Sequence, residues 1–435
     1  MTFMKLFILG GFIFLLFSNK INAQSLSVYD TRTLDKYLQS LTTTETVPGL
    51  VTMVANKKRV IYKSVSGFNS ISKNDTLLID DIFDIASMTK AITCVVIMQL
   101  YEQGRLRLDD SAQKYLPAIA NLQVIDKFNR VDTTYTTRPV AKPITIRQLL
   151  THTSGIGYAF CNDTLAMISQ KKNGNQGLPS YLSFPLLHEP GTAWTYGMSM
   201  DVLGDIIESI TDTTLDKYYY EKIFKPLGML NTFYTVPTDK YNRLTSFYQH
   251  ANGQFTEQPS DGTGKPSIKG GDGLYSTAED YTKFLQMLLN KGTFKGVKIL
   301  NKASVNAMTK NQIGNLFVTT QPGALPKLAD SFPARSGKDK FGYGFVIRTS
   351  ADHEPGTRNS GSYDWGGLFN TYYWVDTLRG ITAVVMMQVR PFYDPVCIDA
   401  LNNFEKMIYQ LLNKTPSLLV SSDKQKSKFS FVAQN

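Results

Sequence analysis

Strand-forming runs crowd the two ends of this chain and are nearly absent from its middle. Residues 50–66 read as a hairpin: Leu50–Ala55 and Val60–Ser64 are β-rich and flank the polar turn Asn56-Lys57-Lys58-Arg59. Further runs come only at Phe341–Ile347, Leu368–Asp376 and Ile381–Val389. A lone hairpin is marginal in water, so the two ends are expected to share one sheet. The stretch between holds loops rich in Thr, Asn and Gly, with helical patches near 145–151, 200–211 and 278–290. Residues 88–103 read as a buried helix stopped by Gly104, and 397–413 as a last helix before Pro416. The predicted fold class is therefore α/β (α+β). An antiparallel sheet built from both chain ends is flanked by helices, and a mostly helical lobe, about 110–275, is inserted. A cleft between the two lobes is the expected binding site.

With 435 residues, 42% hydrophobic and 19% charged, the chain can bury a large core and is not a long disordered segment. Lys and Arg number 46 against 36 Asp and Glu, a net charge of +10, but the largest run is Lys57-Lys58-Arg59. The charge therefore reads as spread out, and nucleic acid is not an expected partner. Three cysteines, Cys94, Cys161 and Cys397, exclude a disulfide scaffold, and Cys94 lies in an apolar run as a buried thiol would. Lys5 is followed by an apolar run of 12 residues, Leu6–Phe17, and then by polar residues ending at Ala23. This is the pattern of a secretory signal over 1–23, too short to span a bilayer. The expected mature domain is 24–415, exported to a periplasmic or extracellular space, with a mobile tail over 416–435. No stable membrane span is expected.

Several catalytic patterns fail. Gly-x-Ser-x-Gly is missing. His188-Glu189-Pro190 and His353-Glu354-Pro355 run into proline and cannot form the zinc-binding helix. Gly264-Lys265-Pro266 lacks the hydroxyl residue of a phosphate loop. What remains is Ser87-Met88-Thr89-Lys90 at the start of the buried helix. Positions i and i+3 share a helix face, so the Ser87 hydroxyl and the Lys90 amine can meet. A serine hydroxyl needs a base, and lysine serves as one only where burial or nearby positive charge disfavours its ammonium form. The helix start also aims N–H groups at a developing oxyanion. Three other Ser-x-x-Lys copies begin at Ser70, Ser169 and Ser421, all in polar, turn-like sequence.

Phe83-Asp84-Ile85-Ala86-Ser87-Met88-Thr89-Lys90 resembles the nucleophile motif of the serine β-lactamase and penicillin-binding superfamily, most closely its class C-like branch of β-lactamases, DD-peptidases and carboxylesterases. Further blocks agree in order: Leu106–Asp110 with Tyr115-Leu116-Pro117, Ile144–Gly155 with its Leu-Leu-x-His-x-Ser-Gly pattern, and Gly270–Asp280 with its Gly-Leu-x-Ser-Thr-Ala-x-Asp pattern. Tyr196-Gly197-Met198 stands where the family carries Tyr-x-Asn. The resemblance implies that Tyr196 shuttles protons with Lys90, while Met198 replaces the amide that contacts acylamide substrates. Trp365-Gly366-Gly367 stands where the family carries a cationic triad, the first residue lying 11 before Asp376. Asn359-Ser360-Gly361 has the wrong spacing. The resemblance further implies that the N–H groups of Ser87 and Leu368 hold the oxyanion.

The expected activity is acyl transfer to water through a Ser87 acyl-enzyme, with Lys90 and Tyr196 moving protons, and no metal or cofactor. An esterase-like serine hydrolase acting on a small-molecule or peptide acyl group leads. A β-lactamase or DD-peptidase, or a non-catalytic penicillin-binding-like sensor, are the alternatives. His152 is the first alternative base, and Arg358 or Lys338 are candidates to supply the missing cleft cation.

Overall fold

The computed structural model describes residues 28–43, 46–171, 180–258, 260, 267–351 and 353–414. The segment 1–23 and the tail 416–435 lie outside these residues. Ser421 lies outside them too, as does Lys172, the partner of Ser169.

The two chain ends do share one sheet. Its strands are β1 (Gly49–Asn56), β2 (Val60–Ser70), β3 (Asp75–Thr76), β4 (Lys340–Phe341), β5 (Val346–Ile347), β6 (Tyr363–Gly367), β7 (Thr371–Asp376) and β8 (Ile381–Met386). They lie in the order β4-β5-β6-β7-β8-β1-β2-β3, antiparallel throughout. The seam between the two ends is the β1–β8 ladder, from Val51 opposite Met386 to Asn56 opposite Ile381. Both strands are apolar along their length and buried, as strands covered on two faces must be.

Helices cover both faces. Helix α1 (Val28–Thr43) buries Leu34, Leu38 and Leu41 at helical spacing, and its Asp35 accepts from the Tyr62 hydroxyl of β2 at 2.8 Å. Helix α2 (Thr89–Glu102) is apolar on nearly every side and runs through the core, so it presents no solvent face. Helix α3 (Ser199–Thr211) packs on it. Helix α4 (Ala278–Leu289) lies against β1 and β8, and helix α5 (Pro395–Lys414) packs on α1. None of the described helices is long and apolar enough to cross a membrane. Cys94, Cys161 and Cys397 are all free, buried thiols.

Several expectations needed correction. Phe341–Ile347 is not one strand but two, β4 and β5, turned about Gly342 and Gly344. Leu368–Asn370 is the β6–β7 turn rather than the start of a strand, with Asn370 at φ 56°. Val389 leaves the main sheet and pairs with Tyr248 instead. Beside its helices, the inserted stretch holds two hairpins, Gln123–Phe128 with Tyr135–Pro139 and Phe247–Ala251 with Gln254–Gln258. Helix α1 was not anticipated. Nor is the positive charge evenly spread: the fold brings Lys58, Arg59, Lys63, Lys283 and Lys295 to one groove.

Candidate active site

Ser87 sits in a single 3-10 turn, Ala86–Met88, between the two-residue strand Phe83–Asp84 and helix α2. The preceding Ala86 is at φ +39°, a conformation that costs a non-glycine residue of order 1 kcal/mol and recurs at functional sites. The Asp84 carboxylate holds it there, its Oδ1 accepting the Ala86 N–H at 2.9 Å. Burial pushes the Asp84 carboxyl up to about 7, partly opposed by that same N–H. The turn leaves the Ser87 side chain partly exposed, whereas Lys90, one turn on, is buried.

Two side chains meet at Ser87 Oγ. The Tyr196 hydroxyl donates to Ser87 Oγ at 2.7 Å, and Lys90 Nζ to the same atom at 3.0 Å. Lys90 Nζ also donates to the Gly271 carbonyl at 2.7 Å and to the Tyr158 hydroxyl at 3.3 Å. An ammonium has three donors and all three are used. Lys90 without its third proton can keep the Gly271 and Tyr158 bonds and offer a lone pair to Ser87.

Gly271 is itself fixed, its N–H donating to Asp201 Oδ1 at 2.8 Å. A methyl on Gly271 would sit 2.4 Å from that carboxylate oxygen and one on Gly270 would lie 2.0 Å from the Met200 carbonyl, so the bend approaches helix α3 this closely only with glycine at 270. Burial pushes Asp201 up to about 6, against the pull of the Lys90 charge. Burial likewise raises the Tyr158 phenol well above its ordinary range. Neither residue stood out in the sequence. Tyr158 lies only three residues past the Gly155 that ends a recognised block, and Asp201 five past Tyr196.

An aromatic wall surrounds Tyr196. Ring centroids of Trp365 and His152 lie 5.0 Å from it, Tyr158 at 5.3 Å and Phe332 at 5.8 Å. His152 is buried and at φ +54°, with Nδ1 lacking a hydrogen-bond partner. Burial, and then the Lys90 charge, drive its basicity well below the ordinary range. Its ring packs against Trp194, Tyr196 and Phe341, and among the described residues it makes no hydrogen bond to Ser87.

Strand β6 brings Trp365, Gly366 and Gly367 to the turn that carries Ser87. A methyl on Gly367 would lie 2.4 Å from the Ile85 carbonyl oxygen, so the two backbones touch. Leu368 follows directly, half-buried. Among the described residues, neither the Ser87 nor the Leu368 N–H donates to a protein group. Met198 is buried at the start of helix α3.

The rival residues lie elsewhere. Ser70 Oγ donates to Glu257 at 2.6 Å, and Lys73 is exposed. Asn359 caps Asp376 through its N–H at 3.0 Å and its side-chain amide at 2.7 Å. Arg358 is 6% exposed and closed off by Glu405 at 2.5 Å and Asp364 at 3.1 Å, so it has no free charge to lend the cleft.

Known proteins are similar to this chain over most of their length. Protein Rv1367c of Mycobacterium tuberculosis is 30% identical over 360 residues, covering 79% of this chain and 86% of the relative. Lovastatin esterase of Penicillium rubens is 28% identical over 397 residues, 87% of this chain and 98% of its own. Among solved structures, a simvastatin synthase from Aspergillus terreus superposes with a TM-score of 0.75 at 26% identity, covering 89% of this chain and 98% of its own. These relatives include esterase- and acyltransferase-type enzymes on this fold. The family model described as Beta-lactamase matches residues 34–406, and the chain belongs to that family.

Proposed function

We propose that the protein is a serine hydrolase that cleaves uncharged esters through a Ser87 acyl-enzyme. The observation that carries this is the convergence of the Tyr196 hydroxyl and Lys90 Nζ on one Ser87 oxygen. As Ser87 Oγ bonds to the acyl carbon, its proton passes to the Tyr196–Lys90 pair. The carbonyl oxygen takes up negative charge between the Ser87 and Leu368 N–H groups. The C–O bond to the alcohol then breaks, and Tyr196 returns the proton to the departing oxygen. Water repeats the sequence in reverse and frees the acid.

The preference for uncharged acyl groups rests on Trp365 and Met198. They give the cleft an aromatic face where a cation would hold a carboxylate, and a thioether where an amide would contact an acylamide. A charge-assisted hydrogen bond is worth about 1.5–3 kcal/mol, so its loss weakens carboxylate binding by roughly 10- to 100-fold. The name of lovastatin esterase agrees with hydrolysis, whereas that of the Aspergillus terreus methylbutanoyltransferase favours a second reading, in which an alcohol rather than water accepts the acyl group. We also read residues 1–23 as an export signal; a mature chain beginning at Gln24 would match it.

The test combines a fluorophosphonate probe, short p-nitrophenyl esters and nitrocefin. Label on Ser87, lost in Ser87→Ala, together with ester turnover and slow or no nitrocefin hydrolysis, is the expected outcome. Label on another serine, or lactam turnover faster than that of every ester, overturns the reading.

A further inference from the structure

Away from the Ser87 cleft, an open groove of about 590 Å³ runs between strand β2 and helix α4. Its wall includes Lys58, Arg59, Lys63, Lys283 and Lys295, against one carboxylate, Glu279. Lys283 is already engaged, with Asp280 at 2.9 Å and Glu279 at 3.4 Å. Among the described residues, Lys58, Lys63 and Lys295 have no ion pair, and all three are exposed. These cations come from three separate parts of the sequence, which the Asn56 and Gln286 contacts bring together: Gln286 Nε2 donates to the Asn56 carbonyl at 2.7 Å.

More positive charge lies just outside. Lys291 is flanked by Lys57, Lys302 and Lys310, and burial together with these like charges holds its amine below the usual lysine range. Self-repulsion of this kind destabilises a compact fold unless something negative is bound.

The groove is also a poor match for a purely solvated surface. Met53 and Phe294 form an apolar floor. Thr282, 1% exposed, lines the groove, and its buried hydroxyl has no hydrogen-bond partner. A buried hydroxyl without a partner costs on the order of 1–3 kcal/mol, and a ligand oxygen reaching the floor would supply one. The volume falls within the ~300–1,000 Å³ typical of small-molecule sites, which favours a compact ligand over a flat membrane surface.

We infer that this groove binds a small anion that carries two or more phosphate charges on a planar or apolar body. The charges would meet Lys58, Lys63 and Lys295, and the body would lie on Met53 and Phe294.

The test is calorimetric titration of the whole protein with ATP, tripolyphosphate, adenosine and vesicles of anionic phospholipid, at low and high salt. We expect saturable one-to-one binding of ATP, weaker binding of tripolyphosphate, none of adenosine, and loss of affinity as salt rises. The double variant Lys58→Glu/Lys295→Glu should weaken ATP binding by roughly tenfold or more. Lys142→Glu, exposed on the inserted segment, should change it by less than about twofold. All these residues are on the surface, and matched melting temperatures confirm intact folds. The proposal fails if ATP does not saturate, if Lys142→Glu weakens binding as much as the groove variant, or if only vesicles of anionic phospholipid are bound.

Discussion

At the residue scale, the proposed nucleophile Ser87 depends on what holds its neighbours. Tyr158 is one of three acceptors on Lys90 Nζ. Tyr158→Phe removes a hydrogen bond of about 1 kcal/mol and leaves the ring in place. We expect kcat for ester turnover to fall about tenfold with KM little changed, since the lost contact is to the proton carrier and not to substrate. Steady-state kinetics on p-nitrophenyl esters measure it. Asp201 gives a prediction in pH. Its carboxyl is raised from 3.8 to about 6 in the folded protein, roughly 3 kcal/mol against ionisation. Well below pH 4 the group is protonated in both states and there is no penalty. As pH climbs from about 4 to about 6 the native state keeps a proton that the unfolded state has released, so stability falls across that window and levels off above it, where the native state buries the charge. Asp201→Asn can still accept the Gly271 N–H but does not titrate. Its melting temperature relative to wild type should therefore rise by a few degrees between pH 4 and pH 7.5. A constant offset across that range contradicts the account.

At the scale of elements, the cleft depends on strand β6 lying against the Ile85–Ala86 turn. Gly367→Ala forces a methyl into the Ile85 carbonyl and must move one backbone or the other. Overpacking of this kind costs about 1–3 kcal/mol. The same displacement separates the two N–H groups meant for the oxyanion, so kcat should fall by about 100-fold, more than the change in melting temperature alone would explain. Thermal melts and kinetics on the same sample separate the two effects. How far such elements can be read in advance differs by type. Ser87 lies in the 3-10 turn that leads directly into the apolar helix carrying Lys90, and their meeting is written in a four-residue spacing. The buried ladder of β1 and β8 is equally plain, because strands covered on both faces are apolar without interruption. Tyr158 is not legible, since only the fold carries it across 68 positions to Lys90. The Phe341–Ile347 run misleads because Gly342 and Gly344 turn the chain inside an aromatic, strand-like composition. Leu368–Asn370 misleads because a turn that packs against the core keeps its apolar residues. Helix α1 was missed because Leu34, Leu38 and Leu41 are a narrow stripe among many polar residues.

At the scale of the whole molecule, α5 is fastened to the sheet by a buried ion cluster. Arg358 meets Glu405 of α5 through both its Nε and its Nη2, and Asp364 of β6 through Nη1. Glu405→Ala leaves the buried Arg358 with Asp364 alone and should cost about 3 kcal/mol, whereas replacing the whole cluster, Glu405→Leu with Arg358→Met and Asp364→Leu, should recover much of it. Urea unfolding of the two variants gives the comparison. The seam between the chain ends has a further consequence, for synthesis. Val51 and Met386 are partners, and 386 − 51 is 335 residues of separation. At ribosomal rates of about 5–20 residues per second, β1 emerges roughly 17–67 seconds before the strand that completes it. For that interval its apolar edge is open to other nascent chains, and Ser87 and Lys90 exist without the strand that shapes their cleft. The enzyme therefore cannot act before it is almost fully made, and its yield in a cell should respond to translation speed and to chaperones that shield a waiting strand.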